Sequence, residues 1–104
     1  MAKFTLVPKP KFKANVLIPV VGKKEPEVMT FTFNHKTMSE LEAMREMPIE
    51  EFYRQIIADW AIEERYNADN LTLLFDNYPA AASAISTTYY SELLGQREKT
   101  PDGR

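Results

Sequence analysis

The chain has 104 residues, of which 44% are hydrophobic and 27% are charged, and its formal net charge is −2 at pH 7. This length and composition are typical of one globular domain and exclude wholesale disorder. The sequence contains no cysteine, which excludes a disulfide framework, a thiolate nucleophile and a cysteine-ligated zinc cluster.

Charge is distributed unevenly along the chain. The first 24 residues contain six lysines and no acid, for a charge of +6. Residues 25–104 contain the other seven bases and all fifteen acids, for a charge of −8. Two interpretations remain open: a solvated basic edge, or a patch that steers an acidic partner or a second copy of the chain. Six lysines without arginine or a recognisable nucleic-acid-binding motif do not predict a nucleic-acid partner.

Apolar runs near the N-terminus are short, because lysines and prolines interrupt each of them. We therefore expect neither a secretory signal nor a membrane-spanning segment. Together with the lack of cysteine, this favours a cytoplasmic protein without a membrane partner.

Two β-rich runs come first in chain order. Residues 12–21 and 27–35 are separated by a GKKEP turn and predict a β-hairpin over about residues 12–34. Apolar and mostly small or polar residues alternate in the second run, so Met29, Phe31 and Phe33 should face the core. An isolated hairpin is marginally stable in water, so we expect helices to cover it.

The first predicted helix begins near residue 38. Thr37 and Ser39 each lie three residues before a glutamate, which is the capping-box spacing. Leu41 and Met44 share one face of this helix. It should end near residue 46 or 47, because Pro48 disfavours helical geometry in the residue before it.

The second predicted helix starts at Pro48 and continues to Ala61. Proline suits the first turn of a helix, and Glu50 and Glu51 follow where acids interact favourably with the helix dipole. Apolar residues then step by three and one along one stripe: Ile49, Phe52, Tyr53, Ile56, Ile57, Trp60 and Ala61. We expect this to be the central core helix.

Two more helices complete the predicted domain. Asn67 or Asp69 can cap the third, whose apolar side is formed by Leu71, Leu74 and Phe75. The fourth begins at Pro79 and ends before Gly95, which suits the C′ position. Its apolar stripe consists of Ala82, Ile85, Tyr89 and Leu93.

These elements predict an α+β fold, mostly helical, with an N-terminal β-hairpin followed by about four α-helices over about residues 38–95. Residues 1–97 should form a single domain, and residues 98–104 a polar, flexible tail.

No residue pattern predicts catalysis or metal binding. His35 is the only histidine, and no serine or acid at motif spacing places it in a triad. Neighbouring glutamates on a helix point in different directions, so residues 50–51 and 63–64 do not predict an acid/base pair. Three glycines form no phosphate-binding loop. We therefore expect no enzyme activity, no cofactor and no metal site.

Methionine, tyrosine and alanine side chains are candidates for partner binding. Methionines cluster around the first helix, and Tyr89 and Tyr90 lie on two faces of the last, so one of these tyrosines should be partly exposed. The alternative is that these residues only fill a small core. The predicted partner-binding residues are Met44, Met47, Ala81, Tyr89 and Tyr90.

The chain contains four segments in this order: FKANVLIPVVG, TFTFNHKTMSEL, IIADWAIEERYNADNLTLLFDNYPAAASAI and YYSELLGQR. The most specific parts of them are TFTFNHKT, DW-x-I-x-E and NL-x-LLF-x-NYP-x-AA. With them the chain resembles the tail assembly chaperones of long-tailed bacteriophages and prophages over roughly residues 4–97. None of the segments is a catalytic signature.

The resemblance implies an assembly factor in the cytoplasm of the host bacterium. Such a protein would bind and solubilise the tape measure protein, help recruit tail tube protein, associate with itself and be absent from the mature virion. Two alternatives remain open: a minor virion structural protein, such as a tail completion or head–tail connector subunit, and a small regulatory binding protein.

Overall fold

The computed structural model describes residues 5–95. The chain forms, in order, β1 (Lys11–Ile18), β2 (Glu27–Asn34), α1 (Met38–Ala43), α2 (Ile49–Ile56), β3 (Ile57–Trp60), α3 (Ala68–Asn77) and α4 (Ala80–Leu93). The α+β class, the hairpin and the four helices are confirmed. The tail predicted for residues 98–104 lies outside the described residues.

The three strands form an antiparallel sheet in the order β1-β2-β3. Gly22 lies in the hairpin turn with a φ of 85°, a backbone conformation that glycine adopts without strain. Met29, Phe31 and Phe33 are buried, as the alternation predicts. The odd-numbered residues of β1, from Lys11 to Leu17, are exposed on the other face of the sheet, so the buried side chains lie on one face only.

The prediction that the second helix continues to Ala61 is wrong. The helix ends at Ile56, and the next four residues pair with β2, where Trp60 lies opposite Phe31. The pairing extends to the Ala61 N–H, which donates a 3.0 Å hydrogen bond to the Thr30 carbonyl. Pairing with the open edge of β2 satisfies backbone groups that a longer helix would leave unpaired there, and the β-branched Ile57 suits an extended strand.

Local side-chain chemistry fixes the helix ends. The Thr37 hydroxyl accepts a 3.0 Å hydrogen bond from the Glu40 N–H, and the Glu40 carboxylate accepts a 2.8 Å bond from the Thr37 N–H. The Asn67 side chain caps α3, and Gly95 has a φ of 74° after α4, as predicted. Helix α1 ends at Ala43, about one turn earlier than predicted.

Aromatic side chains from sheet and helices meet in the core. The Tyr89 ring on α4 lies 5.2 Å from that of Phe33 and 5.8 Å from that of Phe12, measured between centroids. Helix α4 also buries Ala81 and Ile85 completely. This helix therefore holds the sheet through small and aromatic residues on a single face.

Candidate interaction surface

The five partner-binding residues predicted from the sequence do not form one surface. Met44, Ala81 and Tyr89 are buried in the core of the chain, and Met47 is half-buried against that core. Tyr90 is exposed. A partner that meets the folded chain can therefore reach Tyr90 and part of Met47, whereas the other three serve internal packing.

The sequence predicted that either Tyr89 or Tyr90 is partly exposed, and the structure shows that it is Tyr90. Their rings meet edge to face at 5.7 Å, with Tyr89 inside and Tyr90 outside. Tyr90 belongs to the outward stripe of α4, which we define as the exposed residues Ser83, Thr87, Tyr90 and the following Leu94. These positions lie on one side of the helix because they are separated by four, three and four residues.

A concave surface lies between α3 and the segment that connects it to β3. This α3 groove has a volume of about 500 Å³. Its apolar lining consists of Trp60, Ile62, Leu73, Leu74 and Tyr78, and its polar lining of Glu64, Asn70 and Asn77.

Hydrogen bonds shape the connecting segment that forms one wall of the α3 groove. The Trp60 indole N–H donates a 2.7 Å bond to the Glu64 carbonyl, and the Asn70 side-chain amide donates a 2.7 Å bond to the Arg65 carbonyl. The Tyr66 hydroxyl donates a 3.2 Å bond to the Ile57 carbonyl, and burial raises the pKa of this phenol. These bonds fix the conformation of the segment between β3 and α3.

Acidic residues are frequent in the segment that supplies most of the lining of the α3 groove. Residues 61–78 contain four acids, Glu63, Glu64, Asp69 and Asp76, and one base, Arg65, for a formal charge of −3. All five are exposed. The groove is thus a largely apolar surface with one acid, Glu64, in its lining and an acidic segment on either side of that residue in the chain.

A second exposed apolar feature lies in the segment before β1. We call residues 5–10 the N-terminal arm. Leu6 and Val7 in this arm are 89% and 80% exposed. In the sequence, lysines and prolines interrupt the apolar runs here and the first 24 residues are basic, with a steering patch as one interpretation, but neither the apolar arm nor the α3 groove was predicted as a surface.

Within residues 5–95, no group of three or more histidine, cysteine or acidic side chains is arranged to hold a metal ion. No helix in this part of the chain is long and apolar enough to cross a membrane.

Comparison with known proteins gives one family. No curated protein and no solved structure matches the chain. The family model described as phage tail assembly chaperone matches it in two overlapping segments, residues 1–52 and 46–100. Because these segments together span nearly the whole sequence, the chain belongs to the phage tail assembly chaperone family.

Proposed function

We propose that this chain is a tail assembly chaperone that binds the tape measure protein and keeps it soluble in the host cytoplasm. The family match over residues 1–100 carries this proposal. In the same proposal, the chaperone associates with itself, helps recruit tail tube protein, leaves before the virion is complete and catalyses no reaction.

The outward stripe of α4 suits contact with a helical client. Ser83 and Thr87 are short enough for a second helix to approach closely, while Tyr90 and Leu94 supply apolar area further along. A tyrosine can bury its ring against a client and keep its hydroxyl in water. The stripe therefore combines close approach with an aromatic anchor.

Weak binding by each copy fits the proposed cycle. Tyr90 is only 38% exposed, so one copy offers the client little aromatic area. Many copies along one long client raise the effective concentration of each further contact, so the whole coat can bind tightly. Growth of the tail tube can then displace the copies one at a time.

The proposal is tested by expressing the tape measure protein of the same phage genome alone and together with this chain. We expect the client to move from the pellet to the supernatant on co-expression. Tyr90→Ser should reduce the soluble fraction, whereas Val28→Ser, at an exposed position in β2, should leave it unchanged.

A client that stays insoluble beside well-expressed chaperone would contradict the proposal. Retention of this chain in purified particles would favour the alternative of a minor virion structural protein. Isolation with a basic host protein in place of the client would favour a regulatory binding protein.

A further inference from the structure

The N-terminal arm is not covered by the part of its own chain that the structure describes. Leu6 is 89% and Val7 is 80% exposed, so neither packs on the described residues of the same copy. Adjacent exposed leucine and valine side chains gain free energy when a second surface removes them from water. The arm thus presents an unsatisfied apolar segment.

The arm and the α3 groove lie at opposite edges of the sheet, beside β1 and β3. The arm joins β1 where the Pro10 carbonyl accepts a 2.8 Å hydrogen bond from the His35 N–H. Trp60, which lines the groove, pairs with Phe31, and Phe31 is four residues before His35 in the chain. Strand β3, which contains Trp60, lies on the other side of β2 from β1. With standard strand spacings, the two sites are separated by about 13 Å along the sheet and about 10 Å across it. Because Leu6 and Val7 remain exposed, the arm does not occupy the groove of its own copy.

The arm and the groove are complementary in polarity and in charge. From residue 5 to residue 13 the chain has three lysines, Lys9, Lys11 and Lys13, and no acid, for a charge of +3. Residues 61–78, which supply all of the groove lining except Trp60, have a charge of −3. Pro8 and Pro10 have fixed φ angles and favour extended backbone in Val7 and Lys9, which precede them, so these four residues lose less entropy when the arm binds.

We propose that the N-terminal arm of one copy binds in the α3 groove of a second copy. Leu6 and Val7 contact the apolar lining, and Lys9 lies beside Glu64. The two contacting surfaces differ, so each added copy offers another free groove and another free arm, and the assembly either closes as a ring or continues as a spiral. This interface deepens the self-association included in the proposed function and rests on it.

The first test measures self-association without any client, by sedimentation velocity over a range of concentrations. We expect the unmodified chain to form species larger than a monomer. The arm variant Leu6→Ser/Val7→Ser and the groove variant Leu73→Ser should each raise the dissociation constant of self-association by about tenfold or more. Val21→Ser and Val28→Ser remove exposed apolar side chains elsewhere and should leave association unchanged.

Mixing the arm and groove variants tests the direction of the contact. The groove variant has an intact arm, and the arm variant has an intact groove, so an equimolar mixture should form a dimer and stop there. If the same surface of both copies met at the interface, mixing the two variants would not restore a dimer. Failure of the mixture to form a dimer overturns the proposal.

Cross-linking identifies the partner of the arm directly. A carbodiimide joins lysine amines to carboxylates without a spacer, and mixing unlabelled with ¹⁵N-labelled chain separates links between copies from links within one. We expect a Lys9–Glu64 or Lys9–Glu63 link that joins labelled to unlabelled chain. Links within one copy only, or a chain that stays monomeric at every concentration, overturn the proposal.

Failure of this interface is distinguishable from failure of the proposed function. If the chain does not associate but still solubilises the tape measure protein, the arm proposal and the proposed self-association are wrong, and the proposed binding of the tape measure protein stands. If Leu73→Ser leaves self-association intact and abolishes client solubility, the groove binds the client, which also overturns the arm proposal. Circular dichroism of each variant confirms that it is folded before these comparisons are made.

Discussion

The Tyr89 hydroxyl donates a 2.8 Å hydrogen bond to the main-chain carbonyl of Asn34, which joins α4 to the end of β2. The Asn34 side chain continues this connection. Its amide donates a 3.0 Å bond to the Gln55 carbonyl in α2, and its oxygen accepts a 3.0 Å bond from the Lys11 ammonium in β1. One asparagine thus connects two strands and two helices.

Removing the Tyr89 hydroxyl should destabilise the fold. The ring is fully buried, so in Tyr89→Phe the Asn34 carbonyl loses its partner while the core keeps its aromatic packing. We expect the free energy of unfolding to fall by about 1–2 kcal/mol, measured by urea denaturation. Tyr90→Phe, at the exposed neighbour, should change it by less than about 0.5 kcal/mol. Equal effects of the two substitutions would contradict the division between an inner and an outer tyrosine.

Alkaline pH should weaken the fold through the same residue. Burial raises the pKa of Tyr89 above its ordinary value of 10.0, so above that pH the unfolded chain releases the phenol proton while the folded chain retains it. The stabilisation is complete below pH 10 and is lost as the pH rises towards the folded-state pKa. Between pH 9 and 11, the free energy of unfolding should fall by about 1.4 kcal/mol more than in Tyr89→Phe. Parallel pH curves for the two proteins would show that Tyr89 ionises equally in both states.

The first helix should depend on Thr37 and not on Ser39, although both have capping-box spacing in the sequence. The Thr37 side chain forms the cap, whereas Ser39 is an exposed residue within α1. Thr37→Ala should lower the free energy of unfolding by about 1 kcal/mol, and Ser39→Ala should change it much less. Thermal unfolding followed by circular dichroism compares the two. A larger loss for Ser39→Ala would place the helix start two residues later.

The close packing of α4 should make Ala81 intolerant of larger side chains. Ala81 is fully buried, while the adjacent Ala80 is exposed. Leucine at position 81 has no space to occupy, so Ala81→Leu should cost about 1–3 kcal/mol. The matched Ala80→Leu substitution should cost less than about 0.5 kcal/mol. Chemical denaturation measures both, and similar small effects would mean that α4 packs loosely against its neighbours.

Where local chemistry decides a structure, the sequence predicted it. The alternation of Met29, Phe31 and Phe33 identified the buried face of β2, and Thr37 and Gly95 marked helix ends that the structure has at those residues. Each of these features depends on interactions within a few residues of the chain, which is why pattern and spacing were sufficient.

Where distant segments compete, the sequence was ambiguous. Ile57 and Trp60 are three residues apart, a spacing that fits an amphipathic helix, whereas residues three apart on a regular strand face opposite sides. Both are buried in β3 because its pairing with β2 shifts register between Thr32 and Phe33. Residues 57–60 form a strand because they pair with β2, and no local sequence pattern predicts this pairing. The α3 groove is likewise formed by residues from separate elements, so its existence depends on how α3 packs.

The most direct test of the chaperone function is the mass of the soluble complex with the tape measure protein. Co-expressed material separated by size exclusion and measured by multi-angle light scattering gives the number of copies on each client. The chaperone function predicts a soluble complex with many copies of this chain on one tape measure protein. An insoluble client beside free chain, or one fixed copy per client, would contradict the proposed coating of the tape measure protein.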